Sequence, residues 1–248
     1  MKPTLLLYDE VISTNLVLAQ KIADEAACDE WSVACAEYQT RGRGQASNCW
    51  ESERAKNLLF SILLKPENVL ASEQFIISQI VALSLKDVLE SFLQRKVCIK
   101  WPNDIYVDDK KIAGVLIENT LLGSRINNSI VGIGLNVNQT VFKSDAPNPV
   151  SMKQLANKDF DKQLILDAVL QRLTFYYENL TMQKRKTIAT QYKKSLYRNS
   201  GFFPFETNGN ERFFAKIHDV LPSGELVLIR EKDNVPMTFS FKEVRFCI

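Results

Sequence analysis

The chain has 248 residues, 46% of them apolar, and its 31 basic and 29 acidic residues leave a net charge of +2. This balance excludes bulk charge as a reason to expect binding to nucleic acid or to an anionic membrane, so any electropositive feature must be local. The length fits one large domain, or one large and one small domain, and is sufficient to bury a full core.

The cysteines and the N-terminal segment indicate the compartment. There are five cysteines, an odd count, and no CxxC pair occurs. The pattern predicts reduced thiols and argues against a disulfide or zinc framework. The apolar run in "MKPTLLLYDEV" is short and ends at Asp9, so it predicts neither a signal peptide nor a membrane span. We therefore expect a cytoplasmic protein that does not associate with membranes.

The first part of the chain alternates between strand and helix patterns. We predict a strand, a helix capped by Ser13, Thr14 or Asn15, a second strand, a buried strand, and a long helix with Ser72 as its N-cap. Three strands joined by turns follow in "VCIKWPNDIYVDDKKIAGVLIEN", then a buried strand in "SIVGIGLNVNQ" and two further helices. This interleaving through about residue 195 favours an α/β or α+β domain.

The tail has a different pattern, with short alternating runs separated by the turn signals "NGN", "PSG" and "KDN". Roughly 50 residues of strands joined in this way predict a small β-barrel. We place the domain boundary near residue 197, which gives residues 1–196 and residues 197–248. His218, the only histidine, is predicted to lie on the surface of a strand in this tail, so a His-based triad or zinc site has little support.

The segment "EYQTRGRGQASNCW" places two glycines around an arginine. Gly42 and Gly44 let backbone N–H groups approach an anion without Cβ interference, and Arg41 and Arg43 add charge and bidentate donors. Trp50 offers an aromatic face for an adenine or another ligand. The alternative is a surface loop with incidental charge. The segment is neither a Walker loop nor a dinucleotide fingerprint, because GK[ST] and GxGxxG are both absent.

The segment "KWPNDIY" predicts a turn with projecting polar side chains. Pro102 restricts Trp101 to extended conformations, and Asn103 and Asp104 complete the turn. Lys100 is a candidate for a phosphate contact. Asp104 is a candidate ligand for magnesium or for a ligand hydroxyl. The alternative is an ordinary turn with a capping aspartate.

The segment "KKIAGVLIEN" places Lys111 just before a buried strand, so that its backbone is anchored while its ammonium group can reach a cleft. A lysine that discourages pairing at a hairpin edge is the alternative interpretation. The chemistry of this position depends on what lies opposite it in the fold.

The segment "VGIGLNVN" alternates glycine with apolar residues. Glycine inside a strand often marks the close approach of a ligand or of another backbone. Gly132, Gly134 and Asn136 would share one face of this strand. The alternative is that the glycines allow the strand to pack tightly beneath the long helix.

Together, these segments resemble the biotin–protein ligases. The ordered set is "STN", "YQTRGRG…W", "KWPNDIY", "KKIAGVLIEN" and "GIGLNVN", and the resemblance extends from about residue 8 to the end. It implies an α+β fold with a mixed central sheet flanked by helices, of the class II synthetase-like type, plus a C-terminal SH3-like β-barrel. The related lipoate ligases share the fold but lack the combination of "KWPND" and "GIGLN".

The resemblance also implies a two-step reaction. Biotin and MgATP form biotinyl-adenylate and pyrophosphate, and a lysine of a biotin carboxyl carrier domain then displaces AMP. By the family pattern, the residues on biotin are Ser13, Thr14, Asn15, Gln39, Arg43, Gly44, Gln45, Lys111, Gly114, Gly132 and Gly134. Those on the nucleotide are Trp50, Lys100, Asn103 and Asn136, with Asp104 on magnesium. Lys111, Arg43, Asp104 and Lys100 are the expected catalytic group.

These assignments agree with the chemistry of the substrates. The biotin ureido group offers donors and acceptors that suit a Ser/Thr/Asn cluster and an amide. Adenylation joins two anions, so cations and magnesium must offset their repulsion. The loop around Arg43 is expected to order over the anionic ligand and to exclude water from the anhydride.

Two departures from the family pattern affect the expectations. Gln45 stands where many members have arginine, and Ala46, Ser47, Asn48 and Cys49 replace further basic residues, so we expect weaker retention of the adenylate. The "STN" motif begins at residue 13, so we expect no winged-helix domain and no DNA binding.

Three alternatives remain open at this point. One is a ligase for lipoate or octanoate on the same fold, and another is a biotin- or nucleotide-binding regulator without catalysis. For the tail alone, a barrel that docks the acceptor protein is compatible with the main interpretation. Both monomers and homodimers are compatible with the sequence.

Overall fold

The computed structural model describes residues 3–24, 28–45, 48–143 and 148–247. Seven strands form the central sheet. They are β1 (Thr4–Val11), β2 (Ser32–Gln39), β3 (Leu58–Leu64), β4 (Val97–Lys100), β5 (Asp104–Val107), β6 (Lys110–Leu122) and β7 (Arg125–Leu135). Five helices accompany them in the described residues. They are α1 (Thr14–Ala23), α2 (Phe75–Leu93), α3 (Met152–Ala156), α4 (Lys162–Glu178) and α5 (Met182–Lys194).

The central sheet is mixed, with the strand order β1-β2-β3-β7-β6-β5-β4. β1 and β2 are parallel, because α1 carries the chain back to the start of the sheet between them. All the other pairs in this sheet are antiparallel. β3 is an interior strand between β2 and β7, and every one of its residues is buried, as its nearly continuous apolar sequence predicts.

Helices cover both faces of the central sheet. On one face, Leu18 of α1 packs against Ala34, Leu63 and Ile130 in a small apolar cluster. On the other face α2 contacts β4, β5 and β6, and α4 and α5 pack against α2. The larger core lies on this second side. The site described below lies on the α1 side of the strands, where α1 is the helix of the described residues that contacts β2, β3 and β7.

The start of α2 differs from the prediction. Ser72 does not cap the helix, because it lies within a 3₁₀ turn (Ala71–Glu73) and the α-helix begins at Phe75. The N–H of Phe75 donates to the carbonyl of Pro222, 3.2 Å away in the tail of the chain. A backbone carbonyl distant in sequence thus satisfies one of the orphan donors at the N-terminus, which a local cap would otherwise serve.

The tail forms a second, antiparallel sheet of β8 (Phe203–Thr207), β9 (Arg212–Val220), β10 (Leu226–Arg230), β11 (Pro236–Phe239) and β12 (Val244–Phe246). Its order is β11-β10-β9-β8-β12, which is consistent with the expected SH3-like barrel. His218 is exposed on β9, as predicted. The α+β class with a mixed central sheet and a second C-terminal sheet is confirmed.

The segment between α5 and β8 belongs partly to the central sheet. Leu196 forms a parallel bridge with Ile99 of β4, and the N–H of Tyr197 donates to the Ile99 carbonyl at 2.8 Å. The domain boundary near residue 197 stays a prediction.

Trp101 joins the second sheet to the central one. Its indole Nε1 donates to the carbonyl of Gly224 at 2.8 Å, and its ring lies 5.5 Å from that of Phe241. Gly224 has φ +107°, and a Cβ there would lie 2.8 Å from the Phe75 ring. Glycine is required at this turn, because both its backbone conformation and the close approach of Phe75 exclude a side chain.

Two expectations concern the whole chain. All five cysteines are free thiols, as predicted. Burial raises the pKa of the Cys35 thiol to about 12, which makes it a packing residue and not a reactive one. In the part of the chain that the structure describes, no helix is long and apolar enough to cross a membrane.

Candidate functional site

A cavity of about 340 Å³ opens between α1, the loop after β2, strands β5 to β7 and the second sheet. The sequence-predicted site residues line this cavity with the single exception of Asn136. They are Ser13, Thr14, Asn15, Gln39, Arg43, Gly44, Gln45, Trp50, Lys100, Asn103, Asp104, Lys111, Gly114, Gly132 and Gly134. The five motifs, which are spread over more than 120 residues of sequence, therefore meet at one place.

One end of the cavity is a network of neutral polar groups at the start of α1. The backbone N–H of Thr14 donates to Gln39 Oε1 at 2.8 Å, and the Thr14 hydroxyl donates to the same oxygen at 3.2 Å. Ser61 Oγ lies 2.7 Å from Thr14 Oγ1 and 2.6 Å from Asn15 Oδ1. Ser13 occupies the N-cap position, but its hydroxyl makes no capping hydrogen bond. This end suits a ligand with hydrogen-bonding groups and no net charge.

Ser61 was missed in the sequence. It is fully buried in the middle of β3, where it links two of the predicted residues. The available signal was that it is the one polar residue inside the apolar run "LLFSILL". A hydroxyl in such a run needs a partner, because an unpaired buried polar group is costly.

The three strand glycines of the site make room for protein side chains. A Cβ on Gly132 would lie 2.2 Å from Asn15 Oδ1, and one on Gly134 would lie 2.3 Å from the Trp50 ring. A Cβ on Gly114, which pairs with Gly134 across the two strands, would lie 2.9 Å from the same ring. The groups that approach these glycines closely are thus the Asn15 and Trp50 side chains. A contact between the glycines and a ligand stays a prediction.

Lys111 reaches the cavity because of a β-bulge. The register of β5 and β6 shifts between Ile105 and Tyr106, so that Tyr106 pairs with Lys111 while Ile105 pairs with Ala113. A bulge turns the following side chains relative to the sheet, which brings Lys111 to the same side as Gly114. The Lys111 Nζ lies 2.6 Å from Asp104 Oδ1.

The backbone of Lys111 is anchored, as predicted. Its N–H donates to the carbonyl of Asn148 at 2.8 Å, and its carbonyl accepts from the N–H of Val150 at 2.9 Å. The flexible side chain is therefore held at its base by the segment before α3, and the Asp104 carboxylate fixes its tip.

Lys100 lies between aromatic rings at the other end of the cavity. Its Nζ is 5.1 Å from the ring centre of Tyr106 and 5.4 Å from that of Phe246. Burial lowers the pKa of Lys100 from its ordinary value, while the nearby Asp104 carboxylate opposes that shift. A desolvated ammonium group of this kind gains most from a nearby anion.

The described part of the loop after β2 forms a narrow hairpin. The N–H of Trp50 donates to the Gly42 carbonyl at 2.9 Å, and the N–H of Gly44 donates to the Asn48 carbonyl at 2.7 Å. A Cβ on Gly42 would lie 2.7 Å from the Trp50 carbonyl oxygen, so glycine is needed there. Arg43 projects from this hairpin to Glu118, with its Nη2 2.7 Å from Oε2. Ala46 and Ser47 lie outside the described residues, and the ordering of this loop over a ligand stays a prediction.

Asn136 lies beside the cavity and does not line it. Its N–H donates to the Ile112 carbonyl at 2.9 Å, and its Nδ2 donates to the Val150 carbonyl at 3.1 Å. These bonds tie the end of β7 to the segment that anchors Lys111. Asn136 is therefore not part of the cavity wall, and its expected contact with the nucleotide stays a prediction.

A comparison with known protein families identifies the family to which the chain belongs. The model of the Biotin/lipoate A/B protein ligase family matches residues 10–136, which is slightly more than half of the chain. The chain belongs to this family. The match covers all five motifs up to Asn136, so the family resemblance drawn from those motifs is confirmed.

Named relatives of this ligase-family chain come from bacteria and plants, among others. It is 30% identical over 170 residues to "Bifunctional ligase/repressor BirA" of Bacillus spizizenii, covering 66% of this chain and 51% of the relative. It is 31% identical over 162 residues to "Biotin--[acetyl-CoA-carboxylase] ligase" of Paracoccus denitrificans, covering 62% of this chain and 65% of that protein. The chain thus spans about half the length of the BirA relative.

Solved structures of the family share the fold over the whole chain. A biotin protein ligase from Aquifex aeolicus in complex with biotin and ATP has a TM-score of 0.81 at 24% identity and covers 100% of both chains. A biotin protein ligase from Leishmania major in complex with biotinyl-5-AMP has a TM-score of 0.67 at 20% identity, covering 97% of this chain and 100% of that one.

The second sheet contributes cavity residues that were not expected in this ligase-family chain. They are Lys242, Val244, Arg245 and Phe246. Arg245 is held by the carboxylate of Glu206, which also pairs with Arg212. These residues lie more than 100 positions after the last motif, and no local pattern in the sequence connects them to it. Two further cationic residues, Lys242 and Arg245, therefore border the cavity.

Among the described cavity-lining residues, Asp104 is the one carboxylate, and no group of three or more His, Cys, Asp or Glu could hold a metal in the described part of the chain. Magnesium is commonly bound through one or two carboxylates together with substrate phosphates. The donor set therefore fits a magnesium ion that arrives with a nucleotide, with Asp104 as its protein ligand.

Proposed function

We propose that this protein ligates biotin to a lysine of a biotin carboxyl carrier domain, by way of biotinyl-adenylate formed from biotin and ATP. The observation that carries the proposal is the polarity of the cavity. A neutral hydrogen-bonding network stands at one end, around Thr14 and Gln39, and cations stand at the other. Relatives and structural neighbours whose names contain biotin, ATP or biotinyl-5-AMP support it.

The neutral end suits the ureido head of biotin. Ser13 and Thr14 present hydroxyl groups and Gln39 presents an amide, so donors and acceptors are both available. The Gln39 carbonyl oxygen already accepts from the Thr14 backbone N–H, which orients the amide nitrogen of Gln39 away from the helix. A head group bound here would point the valerate chain of biotin towards Lys111.

The cationic end suits the reacting anions. In the first step a carboxylate oxygen of biotin attacks the α-phosphorus of ATP, a P–O bond breaks, and pyrophosphate leaves. Lys111 would lie beside the carboxylate and the α-phosphate, and Lys100 beside the phosphates. Arg43, which stands next to the neutral end through its bond to Glu118, would reach the carboxylate and the α-phosphate once that bond breaks. Preorganised cations of this kind stabilise charge as it develops in the transition state without having to reorganise.

Magnesium would add charge neutralisation at the phosphate oxygens, with Asp104 as its ligand from the protein. Because Asp104 also pairs with Lys111, the same carboxylate would hold the lysine and the metal in fixed relative positions. Trp50, Asn103 and Asn136 remain the predicted contacts of the nucleotide.

In the second step the neutral ε-amine of an acceptor lysine attacks the carbonyl carbon of the mixed anhydride, AMP leaves with the bonding electron pair, and the nitrogen releases one proton to solvent as the amide forms. The hairpin around Arg43 would limit access of water to the anhydride. The cytoplasmic location, the lack of nucleic-acid binding and the choice between monomer and homodimer stay predictions from the sequence.

The proposal is tested by measuring transfer to an isolated biotin carboxyl carrier domain. The chain, ATP and Mg²⁺ are incubated with that domain and with biotin, lipoate or octanoate in parallel, and the mass of the carrier domain is measured. We expect the mass increase of one biotinyl group with biotin and no change with the other acids. Transfer of lipoate or octanoate alone would support the other ligase, and biotin binding without pyrophosphate release would support a regulator.

A further inference from the structure

One carboxylate connects the neutral end of the cavity to the hairpin above it. Glu118 Oε2 accepts a hydrogen bond from Asn15 Nδ2 at 2.6 Å and another from Arg43 Nη2 at 2.7 Å. Glu118 lies on β6, four residues after Gly114 and on the same face of the strand. It is part of the segment "KKIAGVLIEN", but it was not among the site residues predicted from that segment.

The contact with Glu118 fixes the amide of Asn15 in one orientation. Its nitrogen donates to Glu118 and, at 3.4 Å, to the Leu116 carbonyl, while its oxygen accepts from Ser61. The side chain sits directly on Gly132, where a Cβ would collide with it. Asn15 is 3% exposed and both halves of its amide are used within the chain. It therefore serves the site by holding its neighbours in place.

Those neighbours form a continuous chain of hydrogen bonds. From Glu118 the bonds run to Asn15, from Asn15 to Ser61, from Ser61 to the Thr14 hydroxyl, and from the Thr14 backbone N–H to Gln39. Ser61 is fully buried, so its hydroxyl cannot exchange these bonds for bonds to bulk water. A change at Glu118 is thus transmitted to the groups that would hold the ureido head.

The contact with Arg43 has a different character. The side chains of Arg43 and Glu118 are 38% and 40% exposed, so their ion pair is screened by solvent and weak. An anion that enters the cavity beside Arg43 can therefore compete for its guanidinium group at little cost. The pair keeps Arg43 over the mouth of the cavity without holding it there permanently.

We propose that Glu118 is a positioning residue with two functions. It fixes the orientation of the Asn15 amide and, through that amide, the hydrogen bonds at the neutral end of the cavity. It also holds Arg43 at the cavity mouth until an anionic ligand replaces Glu118 as the partner of the guanidinium group. This inference rests on the proposed function, because it assigns Arg43 to an anionic reactant. Glu118 itself contacts neither reacting group.

Two variants separate the two functions. Glu118→Gln retains an acceptor oxygen for Asn15 Nδ2 but removes the charge that attracts Arg43. Glu118→Ala removes both interactions. Glu53→Gln, at an exposed position near the end of the hairpin, is the matched control for loss of one carboxylate.

The first measurement uses the full chain without added biotin or ATP. The rate of trypsin cleavage after Arg43 is followed by mass spectrometry, because a guanidinium group released from Glu118 is more accessible to the protease. We expect cleavage to be faster by up to about fivefold in both Glu118 variants and unchanged in Glu53→Gln. Equal rates in the wild type and in Glu118→Gln would contradict the proposal that Glu118 restrains Arg43.

The second measurement is the KM for biotin in biotin-dependent ATP–pyrophosphate exchange. We expect the KM to rise about tenfold in Glu118→Ala, because Asn15 loses its acceptor, and to stay within about twofold of the wild type in Glu118→Gln. The same KM in the two variants would overturn the hold on Asn15. If the wild type shows no exchange, the proposed function fails, while the protease measurement still decides the contact with Arg43.

Discussion

Lys111 and Asp104 form an ion pair in the wall of the cavity, with Nζ 2.6 Å from Oδ1. Their side chains are 25% and 17% exposed, so the pair is shielded from solvent more than the pair of Arg43 and Glu118. Both cations expected beside the reacting groups are thus held by a carboxylate of the chain. The neighbouring carboxylate sets where each cation stands before any substrate is bound.

The variant Asp104→Asn tests whether this carboxylate also serves magnesium. We expect pyrophosphate exchange to fall by at least about tenfold, because Lys111 loses its partner and the metal loses a charged ligand. We also expect the Mg²⁺ concentration for half-maximal exchange to rise. Asp108→Asn, in the exposed turn between β5 and β6, is the control. A lower rate with an unchanged Mg²⁺ requirement would limit Asp104 to holding Lys111.

The variant Gly134→Ala tests the packing of the Trp50 ring against the glycine backbone of the sheet. The added Cβ would lie 2.3 Å from the indole ring, so Trp50 must move, at a cost of about 1–3 kcal/mol in the free energy of unfolding. Trp31 and Trp101 are both buried, so we expect the red shift in tryptophan fluorescence to come from Trp50. Gly209→Ala, with open surroundings, is the control. Wild-type fluorescence and exchange activity in Gly134→Ala would contradict this account of the glycine.

The pKa of Lys100 predicts a pH dependence of nucleotide binding. Burial lowers that pKa, so the ammonium group loses its proton at a lower pH than an ordinary lysine does. The charge is present below the lowered pKa and is lost as the pH rises through it, so the KM for ATP should rise on the alkaline side. Lys100→Arg should abolish this rise, because arginine stays protonated. An identical pH profile in the two proteins would exclude Lys100 as the cause.

The positions of the motifs on strands and turns could be predicted from the sequence, whereas the meeting of Lys100, Asp104 and Lys111 was implied only by the resemblance to the ligase family. Each lies at a strand end next to a local signal, such as Pro102 or the paired lysines. The bulge that turns Lys111 into the cavity could not, because it depends on how β5 and β6 pair.

The residues that were missed share a physical reason. Ser61, Glu118 and Arg245 reach the site through contacts with partners distant in sequence, and their immediate neighbours do not indicate which partners those are. Ser72 failed as a cap for the same reason, because the start of α2 is fixed by the carbonyl of Pro222. Local patterns predict elements, while tertiary contacts decide which side chains meet.

The variant Gln45→Arg tests the depleted charge of the loop. Gln45 lines the cavity, and the family resemblance implies that this loop closes over the adenylate. We expect Gln45→Arg to slow the release of biotinyl-adenylate, measured by rapid filtration after a single turnover. Gln20→Arg adds the same charge on the exposed side of α1 and should leave release unchanged. Equal release from the wild type and Gln45→Arg would remove loop charge as a determinant of retention.

The most direct test of the central claim is biotin-dependent exchange of pyrophosphate into ATP, measured for the wild type, Lys111→Ala and Lys110→Ala. Lys110 is the exposed neighbour of Lys111 and provides the matched control. We predict exchange in the wild type and in Lys110→Ala, and a loss of at least about a hundredfold in Lys111→Ala. Undiminished exchange in Lys111→Ala, or exchange that does not depend on biotin, would contradict the account.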